Sequence, residues 1–345
     1  MGETHNVRFE PVGIDIEVTE DETILDAAFR QGVMLMHGCK EGQCSACKSF
    51  LLDGDVQMGK YSTFALADYE SDEGYVLLCR AHAYSDLEVE LINFDEEMIH
   101  SGLPVVTAAA EITGLTSLTH DITRLQLKLV EAGSMRYYPG QYVDIQIPGQ
   151  GEHRSFSMAT PPSPDGVLEF IIKRYPGGHF SGLLEGKLAV GDKLDVTGPY
   201  GTFTLKQSSS RRLVFAAGGA GMAPMLALLR QLAESASERP VTFYYGARTV
   251  DDLICADELA ALATRLPQLK YIACLSDSWP DDWDPATTGF VHNVVGHHEP
   301  DLASADVYLC GPPPMIDAAL SLLASRNVAT EQIHFDKFTI TAESQ

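Results

Sequence analysis

Cations are scarce in this chain of 345 residues: 24 lysines and arginines stand against 48 aspartates and glutamates, a formal net charge of −24 at pH 7. So acidic a surface repels a phosphate backbone and argues against nucleic-acid binding. Long apolar runs are missing too; none approaches the roughly 20 residues that a spanning helix needs. The N-terminus, MGETHNVRFE, lacks the basic and then apolar layout of a secretory signal. Gly2 has no second membrane signal nearby that would turn lipidation into an anchor. No internal repeat or low-complexity tract occurs, and no Ser/His/Asp or zinc-protease pattern. These absences leave a soluble, cytoplasmic chain of two or three domains, acting neither on nucleic acid nor in a membrane.

What is present is unevenly spread. Residues 1–100 carry 21 acidic and 6 basic side chains, a charge of −15 within the total of −24. Such a segment suits docking on a basic patch of another protein; acidity that merely maintains solubility is the alternative. Four of the seven cysteines fall in the first 79 residues, and Cys255, Cys274 and Cys310 are scattered later. Disulfides are not expected in a cytoplasmic chain, so the clustering points to metal or cofactor ligation.

The texture of the chain changes twice. From Asn6 to Glu20 apolar residues alternate (Val7, Phe9, then Ile14, Ile16, Val18), which reads as a hairpin turning near Pro11–Gly13. Thr23 then precedes a helical spacing of Ile24, Leu25, Ala28 and Phe29, with Gly32 as its stop. Hairpin, helix and Cys-rich loop make the opening of a β-grasp fold, ending near Phe94 and followed by the acidic Asp95–Met98. Leu125, Leu127 and Leu129 alternate, as do Val143, Ile145 and Ile147 and then Leu168, Phe170 and Ile172, between Gly- and Pro-rich turns; this predicts a small antiparallel barrel. Beyond it, short apolar strands at Leu213–Ala217, Val241–Tyr245, Tyr271–Leu275 and Val307–Cys310 alternate with helical patterns. That alternation predicts a doubly wound parallel α/β sheet, with Ile333–Phe338 as a last strand and Ser208–Arg212 as the hinge before it. The predicted divisions are 1–98, 105–207 and 208–345.

Cys39, Cys44 and Cys47 are spaced C-x4-C-x2-C, and Cys79 lies further on. This is the plant-type spacing for a [2Fe–2S] cluster. Gly38 and Gly42 permit the tight backbone that wraps an anionic cluster, while Ser45 and Ala46 are small enough not to crowd it. Structural zinc would show two close pairs of ligands, not three cysteines in one loop and one far away.

Further on, Arg154-Ser155-Phe156-Ser157 follows one strand; Ile172-Lys173 lie on another, before Gly177-Gly178-His179-Phe180-Ser181. The R-x-F-S segment resembles the flavin signature of the ferredoxin–NADP reductase superfamily. The resemblance implies that Arg154 pairs with the pyrophosphate of FAD and Phe156 packs on the isoalloxazine. It places Ser157 near the flavin N5 that accepts hydride. Ser155, Ile172, Lys173, Gly178 and Ser181 are further flavin contacts on this reading. Gly218-Gly219-Ala220-Gly221-Met222-Ala223-Pro224 ends a strand and opens a helix, where N–H groups and the helix dipole suit a pyrophosphate. It resembles the superfamily's GGxGxxP loop, which assigns Gly218, Gly219, Gly221, Met222 and Pro224 to the nicotinamide coenzyme. Cys310-Gly311-Pro312 resembles the superfamily's C-G-P motif and implies that Cys310 lies by the nicotinamide; a buried strand cysteine is the other reading. In the loop Gly246–Asp252, Asp251 and Asp252 favour NADH and Arg248 favours NADPH, with NADH the choice. An aromatic at Phe335 or Phe338 stacks on the flavin or belongs to the core.

The order cluster, flavin, nicotinamide resembles the reductase components of bacterial multicomponent oxygenases. The implied activity takes hydride from NADH to FAD and passes single electrons through the cluster to an oxygenase. The hydroxylase of a soluble di-iron monooxygenase would dock on the acidic cluster domain. A Rieske-type ring-hydroxylating dioxygenase is the alternative partner, and a non-catalytic electron-carrier module the alternative of a different class.

Overall fold

A computed structural model describes residues 2–100, 102–131, 133 and 135–338. They fall into two compact units, one holding the chain through 106 together with 198–202, the other holding 107–197 and the chain from 203 on.

In the first unit, β1 (Thr4–Glu10) and β2 (Ile14–Thr19) form the expected antiparallel hairpin, burying Val7, Phe9, Ile16 and Val18. Helix α1 (Ile24–Arg30) starts at Thr23, whose Oγ1 accepts from the Asp26 N–H, and Gly32 leaves it with φ +75°. There follow β3 (Lys48–Asp53), β4 (Val56–Met58), α2 (Asp68–Asp72), β5 (Tyr75–Leu77), β6 (Ala81–Ala83) and β7 (Leu87–Glu90). The sheet runs β2-β1-β7-β3-β5, with β7 parallel to β1, and β4 pairs with β6 beside it. This is the β-grasp arrangement. The acidic stretch after Phe94 is more than a connection: Asp95 caps a helical turn, α3 (Glu96–Ile99), by accepting from the N–H groups of Glu97 and Met98.

The next elements are β8 (Val106–Ser117), β9 (Ile122–Leu129), β10 (Tyr142–Gln146), β11 (His153–Ser157), β12 (Val167–Lys173), α4 (His179–Leu184) and β13 (Lys193–Tyr200), which belong to the other unit except for Val106 and Gly198–Tyr200, held by the first. These six strands run β11-β10-β13-β8-β9-β12, and a bridge between Met158 and Phe170 joins the two edges into a barrel. The alternating Leu168, Phe170 and Ile172 lie on β12, which is buried on both faces. Leu168 through Ile172 are all buried, because the face carrying Glu169 and Ile171 is covered by the next layer. There Arg230 donates to Glu169, and Arg124 of β9 pairs with Glu258.

That layer contains β14 (Arg212–Gly218), α5 (Met222–Glu234), β15 (Val241–Ala247), α6 (Ala256–Arg265), β16 (Leu269–Leu275), α7 (Val291–His298), β17 (Ala305–Gly311), α8 (Pro313–Ser325) and β18 (Ile333–Lys337). All five strands are parallel, in the order β16-β15-β14-β17-β18. One face packs on α5 and α6, the other on α7 and α8, so the strands are apolar throughout. Strand order reverses between β14 and β17, which opens a crevice at their carboxyl ends. Arg212, read from the sequence as the end of a hinge, belongs to β14 and donates to Glu299 at 2.7 Å. Among the described residues no helix is long and apolar enough to cross a membrane.

Candidate cofactor-binding sites

The four cluster cysteines converge although one comes from far along the chain. Cys39 and Cys44 lie together, as do Cys47 and Cys79: the Cys44 thiol, with the N–H groups of Glu41 (3.4 Å) and Gln43 (3.2 Å), holds the Cys39 thiol below its ordinary value, while the same contact pushes Cys44 up. The Cys79 thiol likewise holds Cys47 below the ordinary thiol value, although burial opposes it. The Gly42 N–H is aimed at Cys79. Donors directed at sulfur are what a cluster with anionic thiolates requires. Around one zinc ion, Zn–S bonds of about 2.3 Å would draw the sulfurs to about 3.8 Å of one another. Among the described residues no three of these sulfurs lie within 4.8 Å of one another. Two pairs set apart fit a binuclear cluster.

Two glycines make the loop fit. Gly42 has φ +69°, and a Cβ there would lie 2.9 Å from both Arg80 Cγ and Tyr61 Cβ; a Cβ on Gly38 would lie 3.1 Å from Cys44 Sγ. Behind the loop, the His37 ring bonds to the Leu35 carbonyl through Nδ1 and accepts the Gly201 N–H at Nε2 (2.9 Å), which fixes its tautomer. Lys40 Nζ sits 3.2 Å above the Tyr200 ring.

Strand alternation splits the flavin candidates on β11. Arg154 and Phe156 share one face; Ser155 points to the other, where its hydroxyl donates to Asp144 at 2.6 Å. Arg154 (3.2 Å) and His179 (3.0 Å) grip the same Glu152 carboxylate, and His179 with Arg154 holds Glu152 below the usual carboxylate range. A carboxylate gripped by an arginine and a histidine ring at the start of α4 marks an anion position, which fits a pyrophosphate. Phe156 packs on Phe180 with ring centroids 4.8 Å apart. Gly178 precedes α4, and Ser181 is buried with its hydroxyl accepting from the Tyr175 N–H. Ile172 is buried inside the barrel, whereas Lys173 on the other face pairs with Asp121 at 3.1 Å.

At the carboxyl ends of β14 and β17 the two predicted coenzyme loops touch. A Cβ on Gly221 would lie 2.2 Å from the Cys310 carbonyl oxygen, one on Gly218 3.0 Å from Met315 Sδ, and one on Gly311 2.9 Å from Met315 Cε. Gly219 takes φ +57° as the chain turns into α5, with Met222 and Pro224 buried in its first turn; Pro312 precedes α8. A backbone cradle that tolerates no side chain, at the switch point of a parallel sheet, fits a dinucleotide.

Asp336 is the residue that sequence reasoning missed. It lies opposite Cys310 in the β17–β18 ladder, and Ser157 donates to its carboxylate at 3.4 Å. Burial lifts the Asp336 carboxyl to about 6, against the Ser157 hydrogen bond, and pushes the Cys310 thiol well above its usual value. Barrel and parallel sheet thus bring Ser157, Cys310 and Asp336 to one place. Phe338 packs on the core and donates its N–H to the Gly311 carbonyl, whereas Phe335 is 49% exposed. Arg248, read as a cation for a 2′-phosphate, is engaged by Asp252 at 3.2 Å and Asp121 at 3.8 Å.

Comparison with known proteins gives the same succession. Residues 7–84 match the 2Fe-2S iron-sulfur cluster binding domain, residues 109–205 the oxidoreductase FAD-binding domain, and residues 215–321 the oxidoreductase NAD-binding domain. The chain is 53% identical to the reductase component of propane 2-monooxygenase from Rhodococcus jostii, over 99% of this chain and 93% of that one. It is 36% identical to the phenol 2-monooxygenase reductase component of a Pseudomonas species, over 99% and 96%. It is 33% identical to the toluate 1,2-dioxygenase electron transfer component of Pseudomonas putida, over 95% of each. The crystal structure of an Amycolatopsis cytochrome P450 reductase superposes with a TM-score of 0.88 at 30% identity, covering 98% of this chain and 99% of that one. The chain belongs to the ferredoxin–NADP reductase superfamily, within the family of iron–sulfur flavoprotein reductase components of multicomponent oxygenases.

Proposed function

We propose that the chain oxidises NADH in the bacterial cytoplasm and delivers the electrons to the hydroxylase of a soluble di-iron monooxygenase. Residues 1–98 would carry the cluster, 105–207 the flavin and 208–345 the coenzyme. The observation that carries this reading is the meeting of Ser157, Cys310 and Asp336 at the carboxyl edge of β17. When bound, a flavin takes up hydride and releases electrons singly to an iron–sulfur centre. The chain's own part is binding and positioning. Arg154 exchanges Glu152 for the flavin pyrophosphate, and Phe156 covers the ring system. Ser157 holds a hydroxyl near the hydride-accepting atom, and the Gly218–Gly221 loop lays N–H groups against the coenzyme pyrophosphate. Cys310, its thiol kept neutral by burial, packs beside the nicotinamide without adding charge. NADH is the coenzyme because Asp252 and Asp121 engage Arg248, the cation that a 2′-phosphate would need.

The di-iron reading is favoured over a Rieske partner by higher identity to monooxygenase reductases, up to 53%, than to the toluate dioxygenase component at 33%. Anaerobic stopped-flow mixing of the loaded protein with NADH tests the activity. Flavin bleaching followed by cluster reduction is expected; no bleaching would overturn the reading.

A further inference from the structure

Phe64 is the most exposed large apolar side chain among the described residues, at 96%. It is not on a loose loop. The neighbouring Ala65 and Leu66 are buried, and their N–H groups donate to the Ser62 carbonyl. The Ser62 N–H in turn donates to the carbonyl of Gly42 in the cluster loop at 2.9 Å, and the Ser45 hydroxyl of that loop donates to the Ala65 carbonyl at 3.0 Å. The turn presenting Phe64 is therefore fastened at two points to the loop that carries Cys39, Cys44 and Cys47. Next comes α2, anchored by Lys48 on Glu70, with Asp68, Tyr69, Asp72 and Glu73 exposed. Glu41, beside Gly42, is exposed as well. An aromatic pair with a carboxylate rim has the anatomy of an interface hot spot before its partner arrives.

We propose that Phe64, with Tyr69 and the carboxylates of Glu41, Asp68, Asp72 and Glu73, is the face that docks the electron-accepting protein. The partner offers an apolar socket for the ring, rimmed by lysine or arginine. This rests on the reading above that electrons leave through the cluster. Charge complementarity selects this occupant over a second copy of the chain, since two such faces would bring like charges together. Fastening the anchor to the cluster loop makes docking and a short electron path one event.

The test uses the loaded full-length protein, NADH, and two acceptors: the hydroxylase component of a propane 2-monooxygenase, and ferricyanide, which needs no socket. Phe64→Ala should lower kcat/KM for the hydroxylase by about 10-fold or more, as loss of a hot-spot aromatic does, mainly through KM. Ferricyanide reduction and the cluster's spectrum should not change. Tyr69→Ala should have a smaller effect in the same direction, and Asp68→Asn with Asp72→Asn should flatten the salt dependence of transfer. Wild-type transfer to the hydroxylase by Phe64→Ala would overturn the docking face alone. Ferricyanide reduction without any transfer from the wild-type protein to the hydroxylase would overturn the function and the face with it. A wild-type dimer in sedimentation that Phe64→Ala dissociates would reassign the face to self-association.

Discussion

The Ser157 hydroxyl reaches the Asp336 carboxylate at 3.4 Å across 179 residues of chain, joining the end of a barrel strand to the last strand of the parallel sheet. The Asp336 carboxyl is lifted to about 6 chiefly by burial. A raised acid pKa in the folded state means that ionisation opposes folding. The cost is absent well below pH 4, grows between about 4 and 6, and is complete above that. Asp336→Asn should therefore stabilise the protein at pH 7.5, by up to about 2 kcal/mol, with the gain shrinking towards pH 4. Urea unfolding at several pH values checks it; a gain independent of pH would contradict the assignment.

The cluster loop was legible because ligand spacing is local: three cysteines and two glycines within ten residues need no tertiary knowledge. Alternation and strand–helix succession likewise indicated the barrel and the parallel sheet. What escaped depends on register and on surfaces facing each other. Asp336 acquires meaning only when β18 pairs with β17 and sets it opposite Cys310. Ser155 sits within the flavin motif, yet its side chain points away to Asp144, a consequence of two-residue periodicity. The burial of both faces of β12 follows from the layer containing α5, which no pattern in β12 itself announces.

Cys44→Ser should remove one of the two sulfurs in the Cys39–Cys44 pair and abolish cluster assembly. The flavin and coenzyme candidates belong to the other compact unit, so NADH oxidation with ferricyanide should survive. Iron content and visible absorption report the first effect, steady-state rates the second. Simultaneous loss of the ferricyanide activity would refute separate sites.

Arg154→Ala removes the guanidinium from the Glu152 position and leaves the His179 ring there. A charge-assisted hydrogen bond contributes about 1.5–3 kcal/mol, so FAD affinity should fall by about 10- to 100-fold. Flavin retained after gel filtration, compared with wild type, measures this; equal retention would move the pyrophosphate elsewhere.

Gly221→Ala tests the cradle between the two coenzyme loops. Its Cβ would sit 2.2 Å from the Cys310 carbonyl oxygen. That obstacle is backbone and cannot rotate aside, so β14 and β17 must separate locally. Overpacking of this kind costs about 1–3 kcal/mol. Urea midpoints should fall accordingly and KM for NADH should rise. An unchanged midpoint would show that the loops are not in contact.

Coenzyme choice rests on how Arg248 is occupied. Its side chain is half exposed, and the Asp252 hydrogen bond is the main reason its pKa is raised. Asp252 also accepts from the Thr249 N–H at 3.2 Å, a cap that a serine hydroxyl can partly replace. In Asp252→Ser the guanidinium loses its nearest carboxylate and becomes available to a 2′-phosphate, while repulsion between that phosphate and Asp252 disappears. The ratio of kcat/KM for NADPH to that for NADH should rise about tenfold, equivalent to about 1.4 kcal/mol, with most of the change on the NADPH side. Adding Arg248→Ala to Asp252→Ser should cancel the gain. A ratio that stays at the wild-type value in the single variant would remove Arg248 from the coenzyme site altogether.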